Sequence, residues 1–278
     1  MRVRAVMAGF WMAVAFAACG DETEAPGADA EVSETVDGSD VDEGTEAGEV
    51  AADTDAGELA DEMSPDAPPA DALPLPGFGA ISGACGVLDD ELTAEGPSLF
   101  VNHIDFGEDP YDASDIDRLT DGGREIIADG NAGGSSILSE VFAFELLARC
   151  EGATLLKTER EIVYDEQAKI TDMIVLIDGM KIGANPTRAI GFPFDAPYTV
   201  GQARTVLEKK LNDINSSTAT VAAEDAWVKQ ILTVFAYDEG HVASVETAWE
   251  AIDPALKADT IVFITVTDGS DRFIYTDE

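Results

Sequence analysis

The chain has 278 residues, of which 56 are Asp or Glu and 16 are Lys or Arg, and its formal net charge is −40. This charge opposes binding to nucleic acid, because the long-range field of so acidic a chain repels polyanions and anionic lipid surfaces alike. The charge is unevenly spread. Residues 20–76 carry 19 acidic residues and no Lys or Arg, whereas residues 77–278 carry a net charge of −23.

Residues 1–18 have the pattern of a secretory signal peptide. Arg2 and Arg4 precede an apolar run at residues 7–16, which is shorter than the about 20 residues of a transmembrane helix. Residues 16–19, Phe-Ala-Ala-Cys, resemble a bacterial lipobox. That resemblance implies cleavage before Cys19, acylation of Cys19 and a lipid anchor as the contact with the membrane. A plain secretory signal with an incidental cysteine is the alternative.

Residues 19–76 are predicted to be a disordered acidic tether. They contain no aromatic residue and no apolar periodicity, so they cannot bury enough apolar surface to offset the entropy lost on ordering. A flexible chain of this length spans on the order of 40 Å, and charge repulsion extends it. An acidic docking site for a basic partner or for calcium is the alternative. Asp21 lies one place beyond the usual inner-membrane retention position, so we expect the outer membrane, with the domain facing the periplasm or the cell surface.

Residues 77–135 are predicted to form a loop-rich N-terminal extension of the folded domain. Seven acidic residues cluster there: Asp105, Glu108, Asp109, Asp112, Asp115, Asp117 and Asp121. Asp115 and Asp117 fit the alternating oxygen ligands of an EF-hand loop, but Leu119 stands at the third ligand position. A solvated acidic face is the leading interpretation, and a calcium-responsive surface module is the alternative.

Two cysteines remain once Cys19 is assigned to lipid. Cys85 and Cys150 would share an oxidising compartment, so a disulfide between them is predicted. It would fasten the N-terminal extension to a helix. Two buried free thiols are the alternative.

Residues 136–278 have regular patterns that predict an α/β domain, with a central mixed sheet and flanking helices. The Asp178-Gly179 pair predicts a hairpin turn. Apolar residues at helical spacing predict helices at 136–150, 199–214, 225–237 and 242–252. The predicted strands are 155–164, 170–177, 180–189 and 260–267, with a further short one at 272–275.

This order of helix, strand meander, helix and later strand resembles the core of the restriction-endonuclease-like PD-(D/E)XK superfamily. In that family a helix Glu, a strand Asp and a Glu-x-Lys on the next strand hold Mg²⁺ and activate water. By the resemblance, Glu140 or Glu145 would match the helix Glu, and Asp172 would match the strand Asp. Glu140 and Asp172 are thus the candidate metal ligands and Mg²⁺ the candidate ion, although no cofactor is certain.

The chain departs from that family at the third element. Asn185 stands at the position of the metal-binding acid and Thr187 at that of the lysine, with Arg188 following. We therefore expect a nuclease-like fold in a binding or structural role, with an unidentified protein or small ligand as partner. The alternative is a metal-dependent nuclease or phosphodiesterase with a migrated site, in which Lys209 or Lys210 replaces the lysine, Asn185 serves as a neutral ligand and Arg188 clamps phosphate.

Other catalytic motifs give no support to a hydrolase. No Gly-x-Ser-x-Gly and no His-Glu-x-x-His occurs in the sequence. His103 and His241 are the two histidines, and each is expected to be a surface or capping residue.

Overall fold

The structure, a computed structural model, describes residues 75–131, 137–194 and 196–276. The predicted signal peptide, Cys19 and the tether up to residue 74 lie outside the described residues. Within the described ranges no helix is both long enough and apolar enough to cross a membrane.

The described residues form an α/β domain with one mixed sheet and helices on both faces, which confirms the predicted fold class. The strands are β1 (Ala80–Gly83), β2 (Ser98–Asp105), β3 (Thr154–Thr158), β4 (Met173–Ile177), β5 (Met180–Ala189), β6 (Lys229–Ala236) and β7 (Ile261–Asp268). The α-helices are α1 (Asp121–Asp129), α2 (Ile137–Glu151), α3 (Val200–Thr220), α4 (Glu239–Ala251) and α5 (Pro254–Lys257).

The sheet has the strand order β1-β2-β7-β6-β5-β4-β3. The four central strands, β2, β7, β6 and β5, run parallel to one another, so their carboxyl ends meet at one edge. The strands β3, β4 and β5 form an antiparallel meander, closed between β4 and β5 by the predicted turn. Asp178 and Gly179 both have positive φ in that turn, as a tight hairpin requires. Helix α2, this meander, α3 and β6 have the order that the family resemblance implies.

Two hydrophobic cores lie on opposite faces of the sheet. Helices α1 and α2 pack on one face and α3 and α4 on the other. Strand β6 alternates between them: Ile231 and Phe235 enter the first core, and Leu232 and Val234 enter the second. A strand buried on both faces is typical of parallel sheets covered by helices.

The helix predicted at 225–237 is wrong, because residues Lys229–Ala236 form the strand β6. Every residue of β6 is buried, so its apolar residues follow neither a helical nor an alternating period. Four smaller differences concern the ends of elements: β3 stops at Thr158, β4 begins at Met173, α3 continues to Thr220 and α4 begins at Glu239. In addition, Arg272–Ile274 is a 3₁₀ helix rather than a strand.

The segment predicted to be loop-rich, 77–135, contains strands of the same sheet. Strand β2 pairs along its whole length with β7, and β1 pairs with β2 at the edge of the sheet. The helix α1 also lies in this segment. These residues therefore complete the sheet and the first core.

The C-terminal end of α2 fastens residues 75–88 to the domain. Cys150 is disulfide-bonded to Cys85, 65 residues away, in agreement with the predicted pairing. The Glu151 carboxylate accepts hydrogen bonds from the backbone N–H groups of residues 86–88. Arg149 donates to the Phe78 carbonyl at 2.7 Å and pairs with Glu145 at 3.1 Å. Three consecutive residues of one helix thus hold the point where the predicted tether enters the domain.

Candidate functional site

A cavity of about 200 Å³ lies where β5 runs past the start of β4. The two strands pair from Ile177↔Met180 to Met173↔Ala184, and β5 then continues to Ala189 beside β6 alone. The notch so formed is lined by residues from α2, β5, α3 and the segment before β4: Ser139, Asp172, Pro186, Thr187, Arg188 and Lys210.

Three of the sequence-predicted site residues, Asp172, Thr187 and Arg188, therefore meet in one cavity. Burial raises the pKa of Asp172 to about 6, while the nearby positive charge of Lys210 acts in the opposite direction and Glu159 adds to the increase. Arg188 donates from Nη1 to the carbonyls of Tyr275 at 3.0 Å and Ile274 at 3.4 Å. Arg188 thus also anchors the C-terminal 3₁₀ helix to the sheet.

Asn185, the residue at the position of the family's metal-binding acid, uses both atoms of its amide in hydrogen bonds. Its Oδ1 accepts from the backbone N–H of Asp172 at 3.2 Å, and its Nδ2 donates to Gln230 Oε1 at 2.6 Å. Gln230 Nε2 in turn donates to Ser217 Oγ at 2.9 Å and Thr218 Oγ1 at 2.8 Å on α3. The amide of Asn185 therefore joins the segment before β4 to β5 and β6, and Gln230 continues the network to α3.

The two candidate helix glutamates have different surroundings. Glu145 is fully buried and accepts hydrogen bonds from the backbone and hydroxyl of Thr120, besides its ion pair with Arg149. Glu140 is buried in the first turn of α2, where Asn131 Nδ2 donates to it at 3.4 Å. Neither glutamate lines the cavity beside Asp172.

The adjacent lysines of α3 point to different places. Lys209 is exposed and pairs with Asp213 Oδ2 at 2.9 Å. Lys210 lines the cavity and acts electrostatically on Asp172. Of the two lysines considered for a migrated site, the geometry thus selects Lys210.

The residues in this cavity do not fit the Mg²⁺ set of the PD-(D/E)XK family. Asp172 is the one carboxylate among the lining residues, and the amide of Asn185 is already engaged. Mg²⁺ prefers near-octahedral oxygen coordination. The family set described above supplies three carboxylates, whereas here a single carboxylate lies beside the cationic side chains of Arg188 and Lys210. Among the described residues, no group of three His, Cys, Asp or Glu side chains could hold a metal ion.

Four of the seven acidic residues at 105–121 are engaged locally. Asp112 caps the 3₁₀ helix Ala113–Arg118 by accepting from Ser114 N, and Asp115 pairs with Arg118 at 3.2 Å. Asp105 accepts from the backbone of Gly107, and Asp121 pairs with Arg124. Calcium binding by these residues stays a sequence-based prediction.

A second and larger cavity, of about 460 Å³, lies at the carboxyl ends of β5 and β6. It is lined by the loop before α3 and by the start of α4: Phe194, Ala196, Pro197, Tyr198, Tyr237, Asp238, Gly240 and His241. This site was not predicted from the sequence. Tyr237 was taken as the last residue of the helix wrongly predicted at 225–237, and Asp238 as the residue after it. His241 was expected at the surface or in a cap, whereas it is 3% exposed. His103 is partly exposed, with Nε2 3.9 Å from Glu239.

Comparison with known proteins identifies no family for this chain. No family model matches it. The AAC-rich mRNA clone AAC4 protein of Dictyostelium discoideum is 36% identical over 180 residues, which cover 62% of this chain and 26% of that protein. The chain thus spans about a quarter of the length of the curated relative that it matches.

One solved structure shares a partial similarity. It is that of SfsA from Pyrococcus furiosus in complex with Ca²⁺, at 12% identity and a TM-score of 0.24, over 48% of this chain and 56% of that one. A TM-score this low carries no argument about the function of the present chain.

Proposed function

We propose that this chain is a lipid-anchored protein of the bacterial envelope whose domain has a nuclease-like fold and acts in binding or in a structural role. One observation carries the noncatalytic part, namely the poor supply of metal ligands in the cavity. Asp172 is the one carboxylate among its lining residues, and both atoms of the Asn185 amide are already used in hydrogen bonds. The net charge of −23 on residues 77–278 supports it as well, because it opposes a polyanionic substrate.

The lipid anchor is supported by the cysteine pattern. Cys85 and Cys150 are bonded to each other, which fits an oxidising compartment and leaves Cys19, next to Ala17-Ala18, as the third cysteine. Two or three acyl chains would hold the protein durably at a membrane, where one chain holds it only marginally.

The anchor predicts that the full chain, expressed in a bacterium, sediments with membranes and has an intact mass that begins at an acylated Cys19. Cys19→Ala is expected to release the protein into the soluble fraction or to leave the signal uncleaved. Ser64→Ala is the matched control, since it makes a similarly small change in the tether but leaves the lipobox and the disulfide, and it should stay with the membranes. An unmodified Cys19 in the mature protein would contradict the anchor.

The noncatalytic role predicts no cleavage of single- or double-stranded DNA or RNA by the detergent-purified full chain, with Mg²⁺ or Mn²⁺ at low salt. A positive-control nuclease in the same detergent shows that the assay works. Cleavage that is lost in Asp172→Ala and kept in Asp117→Ala, which removes an exposed charge elsewhere, would overturn this role.

A second candidate function, a phosphodiesterase with a migrated site, is favoured by one observation. Lys210 lines the same cavity as Asp172 and Arg188, as the migrated-lysine hypothesis requires. Because the donor set does not fit Mg²⁺, no step is routed through a metal ion. In the assay above, this candidate predicts activity that Lys210→Ala abolishes and Lys209→Ala, a matched change to the neighbouring exposed lysine, retains.

A further inference from the structure

The cavity beside Asp172 is lined by polar side chains with unused hydrogen-bonding capacity. Within the described part of the chain, the Asp172 carboxylate, the Thr187 hydroxyl and the Lys210 ammonium form no hydrogen bond and no direct ion pair. These atoms are not buried, so they are open to a ligand in solution. Arg188 uses Nη1 for two backbone carbonyls at the C-terminal 3₁₀ helix and has Nε and Nη2 to spare.

The charged groups of the cavity act on one another without touching. Lys210 acts electrostatically on Asp172, although the two form no salt bridge, which leaves space for a ligand between them. Among the lining residues, Arg188 and Lys210 place two positive charges against the one negative charge of Asp172. Glu159 also acts on Asp172 but does not line the cavity. More distant acidic groups are screened beyond about 10 Å at 0.1 M salt, so the nearby positive charges favour an anion.

The size of the cavity restricts this anion to a small one. Its volume of about 200 Å³ is below the about 300–1,000 Å³ of pockets that hold drug-sized molecules. A tetrahedral oxyanion fits with a few water molecules, since each water takes about 30 Å³.

The donors and acceptors of the cavity favour an oxyanion that carries one proton. Lys210, Arg188 and Thr187 can all donate, whereas the ionised Asp172 carboxylate can only accept. Hydrogen phosphate matches this set, because it has charged oxygens for the donors and one O–H for the carboxylate. Sulfate has no proton at neutral pH and would place an oxygen against the carboxylate. An amino-acid zwitterion has three N–H donors, for which the lining residues offer a single carboxylate.

We propose that this cavity binds free hydrogen phosphate without a metal ion. Arg188 and Lys210 hold its charged oxygens, the Thr187 hydroxyl donates to one of them, and Asp172 accepts a hydrogen bond from the P–OH group. The carboxylate thereby selects phosphate and rejects anions that lack a proton. This inference rests on the proposed binding role of the domain and names the ligand for it.

The test is isothermal titration of the detergent-purified full chain at pH 8 with EDTA present. This pH is above the pKa of Asp172, about 6, and inorganic phosphate still carries one proton. Sulfate and methyl phosphate are the controls, because both are doubly charged at pH 8 and neither keeps a proton. Phosphate is expected to bind with a Kd below about 1 mM, and both controls at least about tenfold more weakly. No saturable phosphate binding, or a control that binds as tightly as phosphate, would overturn the proposal.

Two variants test the roles of the carboxylate and the ammonium. Asp172→Asn removes the negative charge and supplies an N–H donor, so sulfate should bind within about twofold of phosphate. Lys210→Ala should weaken phosphate at least about tenfold. Lys209→Ala removes the same charge from an exposed neighbour that pairs with Asp213, and it should change the affinity less than about twofold. Equal effects of the two lysine variants, or a preference for phosphate that survives in Asp172→Asn, would contradict the proposed contacts.

The outcome for phosphate is separable from the outcome for the noncatalytic role. If phosphate does not bind and nucleic acid is not cleaved, the ligand is wrong and the binding or structural role stands. If nucleic acid is cleaved and Asp172→Ala abolishes the cleavage, the noncatalytic role itself is wrong, and phosphate binding at the same cavity would then be product binding.

Discussion

Asp172 shows how strongly position changes the chemistry of a single carboxyl group. At the notch between β4 and β5 it is half-buried, and burial raises its pKa from 3.8 to about 6. Lys210 stabilises the charged form and limits the increase, whereas Glu159 acts in the same direction as burial. At neutral pH the group is charged in a place that disfavours charge, which is a feature of functional sites.

This pKa predicts a pH dependence of stability. Between pH 3.8 and about 6 the folded chain holds a proton on Asp172 that the unfolded chain releases, so its contribution to stability is present below this window and is lost as the pH rises through it. The variant Asp172→Asn does not lose this stability, because its amide does not ionise in this pH range. Relative to the parent chain, the variant should gain on the order of 1–3 kcal/mol in unfolding free energy between pH 4 and pH 8.

Urea unfolding of the full chain across that pH range measures the difference. Asp117→Asn is the control, since it changes the net charge equally at an exposed position. A difference between the parent and Asp172→Asn that stays constant from pH 4 to pH 8 would contradict the assigned pKa.

Among the elements, β5 and β6 show what local patterns can and cannot predict. The bounds of β5 were predicted because Asp178-Gly179 fixes the turn before it, where both residues need positive φ. The run of β6 was predicted as a helix because all of it is buried between two layers. A segment that is apolar on both faces has no period that separates strand from helix.

The error at β6 also hid the second cavity and the partner of Asn185. Gln230, which holds the amide of Asn185, lies near the start of β6, and Tyr237 and Asp238 follow its end. As a strand, this segment places its carboxyl end beside that of β5. As a helix, the segment could not pair with β5, and Gln230 would not be held beside Asn185.

The domain as a whole is closed by the bond between Cys85 and Cys150. It joins the segment that carries β1 to the end of α2, close to where the predicted tether ends. In the chain-entropy model, a loop of this length contributes about 4 kcal/mol to stability.

Replacing both cysteines, Cys85→Ala with Cys150→Ala, is therefore expected to lower the free energy of unfolding by about 4 kcal/mol. Chemical denaturation with and without reductant measures it. Reductant should destabilise the parent chain and leave the double variant unchanged, which makes the variant its own control. A parent chain whose midpoint does not respond under conditions that reduce the bond would contradict the stabilising role.

The sequence by itself determined the features that depend on neighbours along the chain. Composition separated an acidic segment without aromatic residues from a domain with a core, turn chemistry placed the hairpin, and the count of cysteines paired Cys85 with Cys150. The resemblance of its element order to the PD-(D/E)XK core also singled out Asp172, Thr187 and Arg188. Tertiary structure decided the rest, because contacts across the sheet have no signature in the local sequence. In the folded chain Lys210 rather than Lys209 lines the cavity beside Asp172, and Asn185 is hydrogen-bonded to Gln230. Tyr198, Tyr237 and His241 come together around the second cavity.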